Sequence, residues 1–283
     1  MAMLRGIDTA ASGMLAVQRR QEALTNNLAN IETPGYKKVD TTLRAFPEVF
    51  LERINDSKQS TKGNAPGFSW IGSMQQGVYA QENISSFLQG DLVTTNNPYD
   101  VAIDDQALTL SNGQKASVLF AVENAAGETR YTRNGRFTVD ETGHLVTAEG
   151  CKVLNNQGKP VQIDPSLASS EVSISPKGEI ILNPDKPANR KVVDTIGLVL
   201  IQNPNKLIKE GNGLFRLDGQ KPAALTDLPA SVQLHHKMIE KSNVDPSMTM
   251  TNMMENVRLY EANQKVLQAY DRSLELLNSI GRV

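Results

Sequence analysis

The sequence predicts a mainly β body domain of short antiparallel strands and hairpins, flanked by long N- and C-terminal α-helices that pair or form a coiled-coil-like inner domain. Three observations predict it. Apolar residues recur at helical spacing over both chain ends, and Pro and Gly mark where those patterns stop. Between them, short β-branched runs alternate with Gly-, Asn-, Asp- and Pro-bearing turns.

At the N-terminus, Leu4, Ile7, Ala11, Met14, Val17, Leu24, Leu28 and Ile31 stand three, four or seven apart. Such spacing makes one apolar stripe on a helix of about 28 residues, roughly 40 Å long. Thr33, Pro34 and Gly35 end it, because the residue before proline avoids the helical region and glycine accepts a left-handed turn. Near the other end, Asp245 is placed to cap a helix and Pro246 suits its first position; neither Pro nor Gly recurs before Gly281. Met253, Val257, Tyr260, Gln264, Leu267, Asp271 and Leu274 alternate by four and three, a heptad. Polar seam residues (Gln18 and Gln21, then Gln264, Asp271 and Asn278) weaken a dry core but can fix register. Periodicity leaves open whether these helices pair with each other, pack on the β body or join other copies.

The body follows from "VAIDDQALTLSNG", "RYTRNGRFTVDETGHLVT", "VSISPKGEIIL" and "IGLVLIQNP". Phe137, Val139, Gly143 and Leu145 repeat the offsets of Val172, Ile174, Gly178 and Ile180, which reads as two hairpins with glycine-bearing turns. The domain plan is therefore an N-terminal helix over 1–35, a connector over 36–62, a β body over 63–240 and a C-terminal helix over 241–283. In the connector, Leu43, Phe46, Phe50 and Ile54 have helix-like spacing around Pro47, and a mobile polar stretch, "NDSKQSTKGN", follows.

The chain has 283 residues, 39% of them hydrophobic, and 29 basic against 31 acidic side chains, so no basic excess points to nucleic acid. One cysteine, Cys151, allows neither an intrachain disulfide nor a cysteine zinc cluster. Asp104 and Asp105 are strand neighbours that point to opposite faces, in a turn or at a solvated edge, and a hydrolase built on them lacks partners. His235 and His236 lack a third ligand at metal spacing. No nucleophile elbow, phosphate loop or dinucleotide fingerprint occurs, so catalytic, cofactor-binding and metal-binding residues are all read as none, with no small-molecule substrate. No run approaches a membrane span, and Arg5 and Asp8 spoil a secretory leader. Met238, Met248, Met250, Met253 and Met254 form a soft surface, and Tyr36 with Lys37 and Lys38 is placed to anchor the end of the first helix.

"SGMLAVQRRQEALTNNLANIETPGYKK" resembles the N-terminal signature of the flagellar rod and hook family, through Ser12, Gly13, Asn26, Asn27, Leu28, Ala29, Asn30, Thr33, Pro34, Gly35, Tyr36 and Lys37. The C-terminal signature is similar through Ser242, Asn243, Val244, Asp245, Met254, Arg258, Tyr260, Glu261, Ala262, Asn263, Lys265 and Asp271, and Met253, Val257, Leu267 and Leu274 complete its seam. "YDVAID", "YTRNGRFTVDETGHLVTAEGCKVL" and "IGLVLIQNPNKLIKEGNGLFRL" are similar to the body of the distal-rod type, so the resemblance spans almost the whole chain. The chain departs from it at Asp105-Gln106-Ala107-Leu108-Thr109 and at Val257-Arg258-Leu259-Tyr260, and its connector looks like that of the second rod paralogue of Gram-positive bacteria.

The resemblance implies a non-enzymatic basal-body subunit whose terminal helices self-assemble into an axial tube that transmits torque to the hook. It implies copies of itself, neighbouring rod and hook proteins and the flagellar type III export apparatus as partners, with export and no cleaved signal peptide. It also implies that both signatures carry subunit assembly; the apolar stripes of the terminal helices then predict ordering as subunits join, and Asn26, Asn27 and Asn30 are placed to set register against a partner helix at the tube wall. Without it, a secreted β-rich binding or adhesion module on a helical stalk is the alternative reading.

Overall fold

The computed structural model describes residues 2–54, 68–74, 77–105, 108, 116–163, 172–184, 190–217, 229 and 232–280. The chain divides into two compact units, one of Met1–Asn26, Val39–Ile84 and Ser247–Val283, the other of Asn27–Lys38 and Ser85–Pro246. The architecture is mainly β with one helix at each end: α1 covers Ala2–Ala29 and α2 covers Pro246–Ile280. α2 begins at the predicted proline. Gly281 and the polar connector stretch 55–64 lie outside the described residues.

The first unit also holds β1 (Val39–Ala45), β2 (Val49–Ile54), β3 (Phe68–Met74) and β4 (Val78–Ser85). β1 pairs with β4 and β2 with β3. The helix-like spacing around Pro47 is thus overridden, since the proline separates two runs rich in β-branched and aromatic residues that find strand partners. Phe46 packs on Tyr79 at 5.1 Å.

Within this unit α2 touches α1. The Asn256 side-chain amide donates to the Val17 carbonyl at 2.8 Å and to Gln21 Oε1 at 2.9 Å. Thr249 and Asn256 are buried, and Met253, Asn263, Leu267, Tyr270 and Leu274 are half-buried. The less exposed line therefore keeps Met253, Leu267 and Leu274 of the expected seam but runs through Asn256, Asn263 and Tyr270. Val257, Gln264 and Asp271, each one residue later, are exposed. Asn256, whose side chain hydrogen-bonds α1, lies on this line.

The second unit holds β5 (Leu92–Thr94), β6 (Val101–Asp104), β7 (Ser117–Glu123), β8 (Thr129–Thr132), β9 (Phe137–Val139), β10 (Leu145–Thr147) and β11 (Lys152–Val153). It continues with β12 (Val172–Ile174), β13 (Glu179–Leu182), β14 (Lys191–Thr195), β15 (Leu198–Ile201), β16 (Leu207–Gly211), β17 (Leu214–Leu217), β18 (Gln233–His236) and β19 (Met238–Glu240). Its largest sheet runs β16-β17-β8-β7-β11-β10-β9, with β15 also on β7; β12-β13-β14, β18-β6 and β19-β5 form smaller sheets.

β7 is apolar on both faces because it lies between two cores. Val118, Phe120 and Val122 enter one core with Phe137, Ile163 and Ile196, while Leu119 and Ala121 enter the other with Tyr131, Val199 and Phe215.

The two hairpins read from the sequence are present, with Leu145 opposite Val139 and Ile174 opposite Ile180. Among the described residues their turn occurs five times in all. At Asn124, Asp140, Thr147, Asn155 and Ser175 the backbone N–H donates to the carbonyl four residues on, and the glycine three residues on donates back to the first carbonyl. In four copies the Asn, Asp or Ser side-chain oxygen also accepts the N–H groups of the second and fourth residues beyond it. Gly127, Gly143, Gly150, Gly158 and Gly178 all have φ between 76° and 89°, the left-handed position of a three-residue hairpin loop.

Candidate functional site

The chain crosses between the two units at Asn26/Asn27, Lys38/Val39, Ile84/Ser85 and Pro246/Ser247. On the body side, the segments next to these crossings meet around four buried ionised side chains: Lys37, Asp105, Arg133 and Glu240. Their side chains are 1%, 6%, 1% and 2% exposed, so solvent contributes almost nothing to holding the charges.

Arg133 enters from the end of β8 and spends all five donors. Its Nε bonds Glu240 Oε2 at 2.5 Å, and its two terminal nitrogens take Asp105 as a fork at 2.7 and 2.8 Å. The remaining N–H groups reach the carbonyls of Val118 and Ile103 at 2.6 and 3.0 Å. Asp105 Oδ2 also accepts the Val118 N–H. Glu240, closing β19, accepts Lys37 Nζ at 2.7 Å and the Gly90 N–H at 2.8 Å on Oε1. Lys37 Nζ bonds the Leu88 carbonyl as well. Two cations and two anions make the cluster neutral, which is the condition for burying it.

The charge states follow from these contacts. Burial works against Asp105 ionising, but the Arg133 hydrogen bonds and charge outweigh it and hold the carboxyl below its usual range. Burial works against the Arg133 charge too, and Asp105 and Glu240 overcome it, so its pKa is raised. Lys37 is lowered, first by burial and then by Arg133, with Glu240 opposing.

Around the charges the backbone is laced together. Gly35 N–H donates to the Glu240 carbonyl at 2.8 Å and Asn243 N–H to the Tyr36 carbonyl at 3.4 Å. The Asn243 side chain accepts the Lys38 N–H at 2.7 Å and donates to the carbonyls of Ser86 and Leu88. One amide thus joins three segments far apart in sequence. Gly35 has φ 68°, and a Cβ there would collide with the backbone of Arg133 and Asn134. A Cβ at Gly90 would collide with the Lys241 carbonyl.

The N-terminal signature is the local code for this arrangement. Asn27 is fully buried and its amide oxygen accepts the Tyr36 hydroxyl at 3.2 Å, so it makes this bond within its own chain. Thr33 Oγ1 donates to Asn30 Oδ1 at 3.2 Å as the helix ends. Tyr36 carries the Lys209 ammonium 3.6 Å above its ring; burial lowers the Lys209 pKa to about 8 and raises that of Tyr36.

Asn26 and Ala29 are exposed, and Leu28 and Pro34 half-buried. Ser12 Oγ donates to the Thr9 carbonyl and accepts the Val78 N–H, beside Gly13. In the C-terminal signature Val244 is buried, Ser242 Oγ accepts its N–H, and Asp245 is exposed. Arg258, Tyr260, Glu261 and Ala262 are exposed on α2.

Sequence reasoning missed Asp105, Arg133 and Glu240. Asp105, expected in a turn or at a solvated edge, stands just past the end of β6 and is buried, because Arg133 supplies a fork of matching geometry. The one available signal was "YTRNGRF", where an arginine follows a buried strand just before a glycine turn. His235 stands 3.5 Å from Asp104, His236 bonds the Pro98 carbonyl at 2.8 Å, and no group of potential metal ligands occurs among the described residues. Nor, among them, is any helix long and apolar enough to cross a membrane.

Residues 7–37 match the family model "Flagella basal body rod protein", 117–182 "Flagellar hook protein FlgE/F/G D1 domain", and 235–280 "Flagellar basal body rod FlgEFG protein C-terminal". The first and last contain the two segments that meet at Glu240. The chain is 34% identical over 99% of its length to the whole of the flagellar hook-basal body complex protein FlhO of Bacillus subtilis. It is 31% identical over 95% of its length to 93% of the flagellar basal-body rod protein FlgF of Caulobacter vibrioides. With the flagellar basal-body rod protein FlgG of Borreliella burgdorferi it shares 28% identity, covering 99% of this chain and 100% of that one. The chain belongs to the flagellar basal-body rod and hook-basal body protein family, and is a structural protein rather than an enzyme.

Proposed function

We propose that this chain is a subunit of the basal-body rod that joins copies of itself and neighbouring rod and hook proteins through its terminal helices, forming a helical axial tube that transmits torque to the hook. Export through the type III apparatus, without cleavage of the N-terminal segment, belongs to the same reading. The signature residues beyond the buried junction, Arg258, Tyr260, Glu261 and Ala262 among them, serve contacts between subunits, and the helices pair as a coiled-coil-like inner domain.

The observation that carries this is the surface of α2. Met248, Leu259, Val266 and Leu277 are 58%, 43%, 44% and 51% exposed. They share one line, since their separations are near whole multiples of about 3.6 residues. Met250, Met254 and Val257 make a second exposed line. A helix with one face turned inward and apolar lines on others is suited to a many-helix wall, where each face meets a different neighbour. A contact that does not close on itself generates a helix of subunits.

The test is a full-length Val266→Glu, Leu277→Glu variant. It keeps the unfolding midpoint of the parent but is missing from basal bodies fractionated from cells that carry it, and those cells do not swim. Normal incorporation and motility would sink the assignment of this line to subunit contact.

A further inference from the structure

Hydrogen bonds between α1 and α2 centre on a residue that is a poor choice for stability. Asn256 is 1% exposed, and its amide nitrogen is used twice, on Val17 and Gln21, while its Oδ1 has no hydrogen-bond partner among the described residues. A buried acceptor without a partner is costly, and an aliphatic side chain would avoid that cost. What the asparagine supplies is direction, because one of its donors meets a particular side chain, that of Gln21, rather than a repeating backbone group.

Two further contacts lie at heptad steps from it. Asn263 and Tyr270 follow Asn256 at intervals of seven on α2, and each lies against a glycine of α1. At Gly13 a Cβ would stand 3.1 Å from the Asn263 amide nitrogen. At Gly6 it would collide with the Tyr270 hydroxyl end. As numbers rise along α2 from 256 through 263 to 270, partners on α1 fall from 17 to 13 to 6, so the two helices run antiparallel along this line.

We propose that Asn256, with Asn263 and Tyr270 seated at Gly13 and Gly6, is the register code of the terminal helices, selecting one antiparallel placement of α1 on α2 at the expense of stability. The inference deepens the proposed function, because a single register fixes the direction in which the exposed lines of α2 face a neighbouring subunit. A slip of one helical turn would take Asn256 away from the Gln21 side-chain oxygen, and would drive Tyr270 into a side chain instead of a glycine.

The experiment uses full-length protein and two kinds of variant. Asn256→Leu raises or preserves the thermal unfolding midpoint, yet replaces the single set of α1 amide NMR resonances by several. One set of resonances with Asn256→Leu would overturn the proposal whatever its effect on incorporation. Gly6→Ala lowers the protection of α1 amides against hydrogen exchange at least tenfold, and adding Tyr270→Ala restores most of it. Equal losses with and without Tyr270→Ala would overturn the seating of Tyr270 at Gly6. Body-domain resonances report whether each variant is folded. Because the readout is register within one chain, it can fail while the Val266→Glu, Leu277→Glu test succeeds.

Discussion

The junction around Glu240 and the outer lines of α2 stand close together in sequence and are built on opposite terms. At the junction four charges are buried, and each finds a partner within 2.8 Å. Along α2, large apolar groups such as Met254 and Leu276, each 59% exposed, lie in contact with water. The first region is complete within one chain; the second leaves apolar surface in water. Stability and assembly should therefore separate cleanly under mutation.

The largest effect on unfolding of the body is expected from Arg133→Met. It strands Asp105 and Glu240 as neighbouring buried carboxylates with only Lys37 left to neutralise them. Breaking buried pairs of this kind costs about 3–5 kcal/mol, readable as a lower midpoint in denaturant titration. Lys37→Met and Glu240→Gln come next, each leaving one unbalanced charge. The double variant leaves the neutral Arg133–Asp105 fork, so its loss should be smaller than the sum of the singles by about 1–3 kcal/mol in a double-mutant cycle. Strict additivity would show that neutrality of the cluster does not matter.

The mildest perturbation is acid. The folded pKa of Asp105 lies below its unfolded value, so its contribution is fully present above the unfolded pKa of about 3.9 and is lost as pH falls through the lower folded one. Lys37 acts in the alkaline range: its lowered folded pKa means that the folded state binds fewer protons there, and stability gains as pH rises through that interval. Unfolding midpoints should drop below about pH 4, and Asp105→Asn should flatten that limb. An unchanged acid limb in that variant would break the assignment.

How much of this was legible in the sequence depends on how local the code is. Both helices and the hairpins at Gly143 and Gly178 are written in residues a few positions apart and can be read, though α1 ends at Ala29, a turn before Thr33-Pro34-Gly35. The other three copies of the turn were readable by the same rule. The β1–β4 and β2–β3 pairs were misread because Leu43, Phe46, Phe50 and Ile54 fit a helical period by chance, and only a strand partner decides between periods. The junction was illegible for a different reason. Arg133 and Glu240 stand 107 residues apart, and nothing in either neighbourhood announces the other. On α2 the heptad was visible, but the buried line runs through polar Asn256 and Asn263, which no apolar count can find.

The Lys37–Glu240 ion pair spans 203 residues. Closing so long a loop carries an entropy cost that grows slowly with length but comes due before the contact gives anything back. The five glycine turns close over four residues and have no such delay. Folding should then proceed from hairpins outward, with Lys37 waiting in water until the last strand arrives.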